Sequence, residues 1–425
     1  MKEINLSFNI SIVLNQIDIH FIEEELLKMR EDVFLKVLKK VLSEIELETA
    51  KKAINCKKCG YPLVKNGRDK RKIKTLIGEV EVSRSRMRCK RCLATYYPFD
   101  DVIGLASSKH ETLGVRERSL WAAVEVSYEK SSAFLKKFTG LEVSRKKIHQ
   151  MAIEEGKQIE SFEEKRRASV FDEGKFADTV SNKAPDVLYV QVDGTGINDR
   201  DSKEWMECKV GASFSQRVNI SKNRVWLKDK KSYASIEDVD SFGQKFFLDC
   251  VAQGVLNAKK VIFVADGDRW IRRLKNDYFP DAIGVLDPWH LERLLKVTLG
   301  EEKYYLVELC MNAAFAGDGV EIINLLLGEL KDINEADKRN KLTGVIKYVH
   351  SNLDWIVNIP KVDCAGSGPV EKTVDITVAR RFKKRGMSWY RGGANPLIKL
   401  RLLKLNGEWD EYWQERKKKL ARNAA

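Results

Sequence analysis

The stretch VADGDRWIRRLKNDYFPDAIGVLDPWH, residues 264–290, decides the fold class. It has the pattern of a buried strand ending at Asp266, a short helix, and a second strand ending at Asp287, with His290 just beyond. Strand, helix and strand in close succession are typical of an α/β layer with a mixed sheet. The same stretch places two carboxyl groups and an imidazole after two hydrophobic strands, which indicates a polar site at one edge of that sheet.

The sequence before this stretch continues the alternation of strands and helices. Candidate strands are DVLYVQVDGTGI, EWMECKVGASF and a basic segment around RVWLKDKK, and a helix follows over about 236–255. Residues 291–360 show only helical periodicity, so we predict a helical insertion there. Turn-forming residues with little periodicity predict a linker over 166–185. The α/β core is therefore expected over 186–290, with its completion and basic C-terminal helices over 361–425.

A third strand is expected to end in an acidic residue, Asp193, in the segment VQVDGTG. Ligand chemistry in α/β sheets gathers at the carboxyl ends of strands, so Asp193, Asp266 and Asp287 are expected to converge. Converged carboxylates repel one another unless a cation lies between them, and a pair of Mg²⁺ or Mn²⁺ ions suits such oxygen ligands. The alternative is that each Asp-Gly pair is ordinary turn chemistry. Asp268 is expected to start a helix and is a minor alternative ligand.

Past the predicted insertion, Glu371 falls in the first turn of a helix that begins after Gly366, Gly368 and Pro369. Proline and glutamate at these positions are ordinary features of a helix start. The glycine-rich approach favours a functional role, because it lets nucleic acid come close. A basic segment follows, and its side chains are suited to phosphate contacts: Arg380, Arg381, Lys383, Lys384 and Arg385.

The whole chain of 425 residues is basic, with 76 Lys and Arg against 62 Asp and Glu and a formal charge of +14. This excess predicts attraction to nucleic acid. It is concentrated between residues 51 and 92, which contain 15 basic and three acidic residues. A solvated basic face on a thermally robust protein is the alternative. No segment approaches the apolar length that a membrane span needs, so we expect no membrane partner and a cytoplasmic, nucleoid-associated protein.

Two Cys-x-x-Cys pairs, Cys56 with Cys59 and Cys89 with Cys92, flank a pair of candidate strands. Two thiolate pairs brought together by a small sheet form the closed tetrahedral site that zinc favours, so we predict a zinc ribbon with structural Zn²⁺ over 53–105. Four unliganded cysteines are the alternative. The remaining cysteines are expected to be buried small hydrophobes: Cys208, Cys250, Cys310 and Cys364.

Three arginines of the second ribbon strand, Arg84, Arg86 and Arg88, alternate along the sequence. Alternate strand residues share a face, so we predict that this face contacts DNA. Before the ribbon, residues 1–52 are expected to hold amphipathic helices, whose ordinary role is packing.

Residues 106–165 are predicted to be helical, with one helix ending at Gly140 and the next starting at Ser144 as its N-cap. This arrangement suggests a helix-turn-helix. The second helix would present to a DNA groove Arg145, Lys146, Lys147, His149 and Gln150. A plain packing unit of two helices is the alternative.

Taken in order, VDGTG, VADGDRWI, LDPWHLERLL and GSGPVE…RFKKRGMSW…GANPLIKLRLL resemble bacterial and archaeal insertion-sequence transposases of the Mutator-like DDE class, especially the zinc-ribbon-bearing Kra-type and Lre-type groups. The resemblance implies a ribonuclease-H-like catalytic domain with a helical insertion, preceded by a zinc ribbon and helical DNA-binding segments. In such folds the second Asp ends the fourth strand and the Glu lies on the helix after the insertion. The implied DDE triad is Asp193, Asp266 and Glu371, and a Cys/Asp-x-x-His motif falls on Asp287 and His290.

The resemblance further implies hydrolysis at a transposon end, followed by attack of the freed 3′-OH on target DNA. Asp193 and Asp266 would share two Mg²⁺ or Mn²⁺ ions, and Glu371 would hold one of them. His290 would bind a phosphate or orient Asp287, and a single Zn²⁺ on Asp287 and His290 is a further alternative. The implied partner is double-stranded DNA, bound by a homodimer or higher oligomer. Two other hypotheses remain: an inactive DNA-binding regulator, and a nuclease of the same fold without strand transfer.

Overall fold

A computed structural model gives the fold and describes residues 4–7, 9–13, 15–52, 54–106, 109–176, 181–222, 224–363 and 366–424. The chain divides into two compact units. The first unit comprises 1–151 and 408–425, and the second unit comprises 152–407.

The first unit begins with one long helix, α1 (Ile19–Thr49), as its periodicity predicts. The Asp18 carboxylate caps this helix by accepting the Phe21 N–H at 2.9 Å. An antiparallel pair follows, β1 (Leu63–Lys74) and β2 (Glu79–Cys89), which β3 (Thr95–Tyr96) extends to three strands. Helix α1 and the short helix α2 (Pro98–Val102) pack apolar side chains on this sheet.

Three further helices complete this part of the chain: α3 (Leu113–Ala123), α4 (Tyr128–Thr139) and α5 (Arg145–Phe171). Helix α4 ends at Gly140, whose φ of 69° is left-handed and suits glycine. Ser144 Oγ accepts the Lys147 N–H at 3.3 Å at the start of α5. Both predicted helix boundaries are confirmed. Helix α5 runs to Phe171, so the predicted linker is helical over 166–171, and its residues 177–180 lie outside the described chain.

The second unit is a mixed α/β layer, as predicted. Its elements up to residue 286 are β4 (Val187–Asn198), β5 (Trp205–Phe214), β6 (Gln216–Ser221), β7 (Arg224–Lys228), β8 (Lys231–Ser235), α6 (Val239–Ala252), β9 (Lys260–Ala265), α7 (Arg269–Tyr278) and β10 (Ile283–Leu286). Five strands form one sheet in the order β10-β9-β4-β5-β8. Strands β4, β9 and β10 are parallel, and β5 is antiparallel to both of its neighbours.

The predicted insertion is entirely helical where the structure describes it. It contains α8 (Pro288–Leu299), α9 (Tyr304–Ala316), α10 (Gly319–Lys331), α11 (Ala336–Ser351) and α12 (Leu353–Ile356). Beyond it lie α13 (Gly368–Val374), a π-helical turn (Asp375–Ala379), α14 (Arg380–Phe382), α15 (Arg391–Leu405) and α16 (Trp409–Ala424).

Helix α16 corrects the expectation that residues 361–425 all complete the core. It belongs to the first unit, where the Trp409 ring lies 5.3 Å from the Trp121 ring and Lys417 pairs with Glu117 at 3.0 Å. The aromatic surface of Trp409 explains this placement, because it is buried there instead of facing water.

The core of the second unit combines apolar side chains with buried ionic contacts, of which Lys399 makes the most deeply buried. Lys399 on α15 is fully buried, and its Nζ lies 2.8 Å from Glu163 Oε2 and 2.7 Å from the Tyr233 hydroxyl. The close approach of α5 to α15 requires glycine at position 156, because a Cβ there would lie 2.2 Å from the Pro396 carbonyl oxygen. No helix in the described part of the chain combines the length and hydropathy needed to cross a membrane.

The prediction of buried cysteines is confirmed for Cys208, Cys250 and Cys310, whose side chains are inaccessible to solvent. Cys364 lies outside the described residues.

Candidate functional site

Asp193 lies on β4, and Asp266 directly follows the neighbouring parallel strand β9. The prediction that Asp193 ends a strand is wrong, because β4 continues to Asn198 in antiparallel pairing with β5. Its pairing with β9 stops where Gln191 faces Val264. Two residues further along both strands come Asp193 and Asp266, so the parallel register brings these two residues to the same level of the sheet.

These two acids line a cavity of about 400 Å³ together with the other predicted catalytic residues, Glu371 and His290. In full, the lining consists of Val192, Asp193, Gly194, Thr195, Asp266, His290, Arg293, Ser367, Glu371 and Val374. In the described chain, only the cysteine cluster gathers three or more possible metal-ligating atoms within 4.8 Å of one another.

The electrostatics of the cavity resist the accumulation of negative charge. Burial raises the pKa of Asp193 to about 6, the neighbouring charges of Asp266 and Glu371 act in the same direction, and a 2.7 Å hydrogen bond from the Gly194 N–H opposes them. Burial also raises the pKa of Asp266. A bound cation would reverse both shifts, since it favours ionised carboxylates.

Gln191, which sequence reasoning missed, holds the segment that carries Glu371. Its buried side-chain amide donates to the Gly366 carbonyl at 3.1 Å and accepts the Val370 N–H at 3.0 Å. Glu371 therefore enters the cavity from a backbone that is tied to β4 two residues before Asp193. The available signal was a single amide inside the apolar run VLYVQV, because a buried polar side chain requires partners.

Asp287 is not part of the cavity lining. It is buried at the start of α8, where one carboxylate oxygen accepts the Trp289 N–H at 3.0 Å and the other accepts the Ser367 hydroxyl. Protein donors engage both oxygens, so Asp287 links the start of α8 to the start of α13. Its role as a metal ligand stays a prediction. His290 does reach the cavity, and its Nδ1 lies 3.2 Å from Nη2 of Arg293.

The loop after β9 is fixed by the helical insertion. Tyr348 on α11 donates its hydroxyl hydrogen to the Asp266 backbone carbonyl. Gly267 has a φ of 78°, and a Cβ there would lie 2.5 Å from Asn352 Oδ1. Asp268 starts α7, as expected, and its N–H donates to Asp266 Oδ1 at 3.1 Å. Its side chain does not line the cavity.

The basic segment after Glu371 divides into exposed and buried side chains. Lys383 Nζ donates to Thr195 Oγ1 at 2.5 Å on the rim of the cavity. Arg380 pairs with Asp375 at 2.9 Å, while Lys384 and Arg385 are exposed. Arg381 is 1% exposed and lies over the Trp389 ring, so the expectation that it contacts phosphate is wrong.

In the first unit, the four cysteines converge as their spacing predicts. Cys56 Sγ lies 3.5 Å from Cys92 Sγ, and Cys59 Sγ lies 3.5 Å from Cys89 Sγ. All four sulfur atoms lie within 4.8 Å of one another, which is a geometry that a single metal ion can fill.

The predicted arginine face of β2 needs correction. Arg84 is buried in ion pairs with Asp100, a carboxylate it shares with Arg71. Arg86 donates to the Asn66 carbonyl at 2.8 Å, and only Arg88 is exposed. The prediction assumed that alternate residues share a face along the whole strand. The buried face of β2 instead changes between residues 84 and 85, where both side chains are buried.

At the start of α5, Arg145, Lys146 and Gln150 are exposed, as a groove-reading helix would require. Lys147 instead lies 3.0 Å from the buried Glu111 carboxylate. The His149 ring stacks edge-on against Tyr128, and burial lowers the pKa of this histidine.

Comparison with known proteins gives one family. The model of an uncharacterised protein family, UPF0236, matches residues 12–418. The chain belongs to this family. A UPF0236 protein of Caldanaerobacter subterraneus subsp. tengcongensis is 22% identical over 348 residues, covering 80% of this chain and 68% of its own length. A second relative from that organism, 22% identical, has a name that joins eleven gene loci and is covered over 68% of its length. A Streptococcus gallolyticus relative, described as a UPF0236 protein in the vanSb 3′ region, is 22% identical and is covered over 75%.

We expect Gln191→Leu to lower the free energy of unfolding of the second unit by about 1–3 kcal/mol, because it removes both hydrogen bonds by which this buried side chain holds the Glu371 segment against β4. Chemical denaturation measures the change. Gln216→Leu, at an exposed position on β6, is the matched control and should change stability by less than about 0.5 kcal/mol. Equal stabilities of the two variants would contradict the role assigned to Gln191.

Asp193 should make stability depend on pH. Its folded pKa of about 6 lies above the ordinary 3.8, so the folded state binds the proton more tightly. The stability that protonated Asp193 contributes is fully present below about pH 3.8 and is lost as the pH rises through 6. Asp193→Asn should therefore be more stable than the native protein at pH 7–8, and the difference should disappear near pH 4. Denaturation of both proteins across this range, without divalent ions, measures it; a difference independent of pH would refute the assignment.

Proposed function

We propose that this chain is a DNA transposase of the Mutator-like DDE class, which cuts DNA at the ends of a mobile element and joins them to target DNA. The observation that carries the proposal is the meeting of Asp193, Asp266 and Glu371 with His290 in one cavity. In the sequence these residues are far apart, since 178 positions separate Asp193 from Glu371.

The sheet supports a ribonuclease-H-like fold for the second unit. Counted along the chain, its strands are β4, β5, β8, β9 and β10. Asp193 lies on the first of these strands and Asp266 directly follows the fourth. Glu371 lies on α13, the first α-helix after the insertion. This arrangement matches what the resemblance to DDE transposases implies for the triad.

The cavity suits divalent cations in its donor chemistry. Three carboxylates are the hard oxygen ligands that Mg²⁺ and Mn²⁺ prefer. The pKa of Asp193 is raised mainly by burial and further by the charges of Asp266 and Glu371, and a bound cation would oppose both effects. The chemistry that a pair of such ions supplies in a carboxylate site is activation of an attacking oxygen and stabilisation of a leaving oxygen of a phosphodiester. Asp193 and Asp266 would hold both ions, and Glu371 one.

The protein's own cations then orient the DNA. Arg293 lines the cavity beside His290, so both can donate to the oxygens of a phosphate. Lys383 lies at the rim, where it fixes Thr195. In the first step, water attacks phosphorus at the element end and the bond to the 3′ oxygen breaks. In the second step, the resulting 3′-OH attacks a target phosphate and displaces a target 3′ oxygen.

The first unit supplies features that fit DNA binding. We propose that the cysteine cluster holds one structural Zn²⁺ in a zinc ribbon, since four sulfur atoms at this separation match the closed sites that zinc favours. Exposed cations on this unit would bind element ends, and holding two ends together calls for at least a homodimer on DNA. The relative whose name joins eleven loci adds support, because many copies in one organism are what a mobile element would leave.

Supercoiled plasmid that carries both genomic flanks of the coding region, incubated with protein and Mg²⁺, tests the activity. We expect nicked or cut plasmid and insertion products. Asp193→Asn, Asp266→Asn and Glu371→Gln should each lower the rate roughly 10³-fold or more, because several kcal/mol of charge stabilisation is lost. Asp268→Asn is the matched control and should stay within about threefold of the native rate.

Other outcomes of this assay decide between functions. If the protein retards the flanks on a gel but cleaves nothing, the proposed transposase activity is refuted, and the chain is an inactive DNA-binding regulator. Cleavage without joined products would replace it with a nuclease.

We expect one tightly held zinc per chain, and its loss together with the fold of residues 56–92 when Cys89 and Cys92 become serine, because structural zinc contributes folding free energy directly. Elemental analysis and circular dichroism measure both. Cys310→Ala, outside the cluster, should keep one zinc. Full zinc content in the double serine variant would refute the site.

A further inference from the structure

A two-stranded ribbon, β6 with β7, projects from the sheet as a separate hairpin. Its base is closed by the Ser215 N–H, which donates to the Lys228 carbonyl at 3.0 Å, and by the Ser215 hydroxyl, which donates to Asp229 at 2.7 Å. The ribbon is therefore anchored at one end and extends by up to six residues beyond it.

The two faces of the ribbon differ. Leu227 packs against the hydrophobic core, so its face turns toward the body of the unit near the base. The alternate residues Arg224, Trp226 and Lys228 share the other face, and all three are exposed. Trp226 is 51% exposed, which core packing does not explain.

All charged side chains of the ribbon are positive. Residues 216–228 contain four basic residues and no acidic one. They are Arg217, Lys222, Arg224 and Lys228, and each is exposed. Such a surface complements a polyanion. Arg224 and Lys228 can each meet a phosphate, and the Trp226 ring between them can cover a sugar.

The dimensions favour double-stranded DNA. A two-stranded ribbon fits a DNA groove. Asp193 pairs with Val210 across the sheet, and the ribbon begins six residues beyond Val210 at Gln216. At about 3.3 Å per residue this places the ribbon base roughly 20 Å from the acidic cavity, which corresponds to about six base pairs.

We propose that the β6–β7 ribbon is a DNA-binding arm, in which Arg224 and Lys228 contact phosphates of a duplex at a distance from the carboxylates. The inference rests on the proposed function only for the identity of the partner. It adds a contact that contributes affinity without taking part in cleavage.

The test is fluorescence anisotropy with a labelled 30-base-pair duplex and the full chain, titrated in KCl without added divalent ions. Arg224→Gln with Lys228→Gln should weaken binding about tenfold at 0.1 M salt. It should also lower the slope of log affinity against log salt by about 1.8, which is 0.9 for each phosphate contact. Arg224→Lys with Lys228→Arg keeps the charges and should retain the native slope. Trp226→Ala should weaken binding with the native slope, because it removes an uncharged contact.

The matched control is Lys341→Gln with Lys347→Gln, two exposed cations on α11, which should leave the slope unchanged. An equal loss of slope in this control would refute a specific role for the ribbon, as would native binding by the glutamine variant or no duplex binding by the native chain. If light scattering shows that the glutamine variant loses self-association without DNA, the ribbon is instead an interface between copies.

The plasmid assay keeps the two proposals separate. A glutamine variant that loses affinity while the native chain cuts nothing supports the arm and refutes the transposase. Native affinity in that variant together with plasmid cleavage by the native chain refutes the arm alone.

Discussion

The geometry of the candidate site depends on the two hydrogen bonds of Gln191. The sheet register alone brings Asp193 beside Asp266, because neighbouring parallel strands fix their levels. Glu371 arrives on a helix that begins at Gly368, 177 residues after Gln191. Its position is set where the Gln191 amide engages one backbone acceptor and one backbone donor of that segment. The Gln191 side chain is inaccessible to solvent, so its amide has to find both partners within the protein.

The helical insertion contributes to the same geometry. Its helix α11 supplies Tyr348, which holds the backbone carbonyl of Asp266, and Asn352 closes against Gly267. At its two ends, Asp287 and Ser367 are joined by a buried hydrogen bond. The insertion therefore leaves and rejoins the core at one point, beside the cavity. A long excursion of the chain can stabilise a precise site when its ends are tied together in this way.

Sequence reasoning predicted the α/β class, the helical insertion and the convergence of the cysteines, because each leaves a local signal in the sequence. With the resemblance to DDE transposases, it also selected four residues that the structure brings to one cavity. It misjudged Asp193 as a strand end, since Asp-Gly-Thr-Gly has the composition of a turn, and only pairing with β5 keeps it extended. The roles of Gln191 and Arg84 were missed for the same reason. Their partners, Val370 and Asp100, are distant in sequence, and the alternation of residue types cannot identify them.

The charge distribution gives the proposed function its physical logic. The chain carries a formal charge of +14, yet the candidate site gathers three carboxylates whose combined charge repels phosphate. Near the cavity, Arg293 and Lys383 offset this only in part. Under the proposed function, affinity for DNA would come from cations elsewhere, and the site would receive a phosphodiester only once its carboxylates are neutralised. The proposal thereby assigns binding and chemistry to separate surfaces, so a duplex held without metal would stay intact. Cleavage on this scheme requires both a bound duplex and occupied carboxylates.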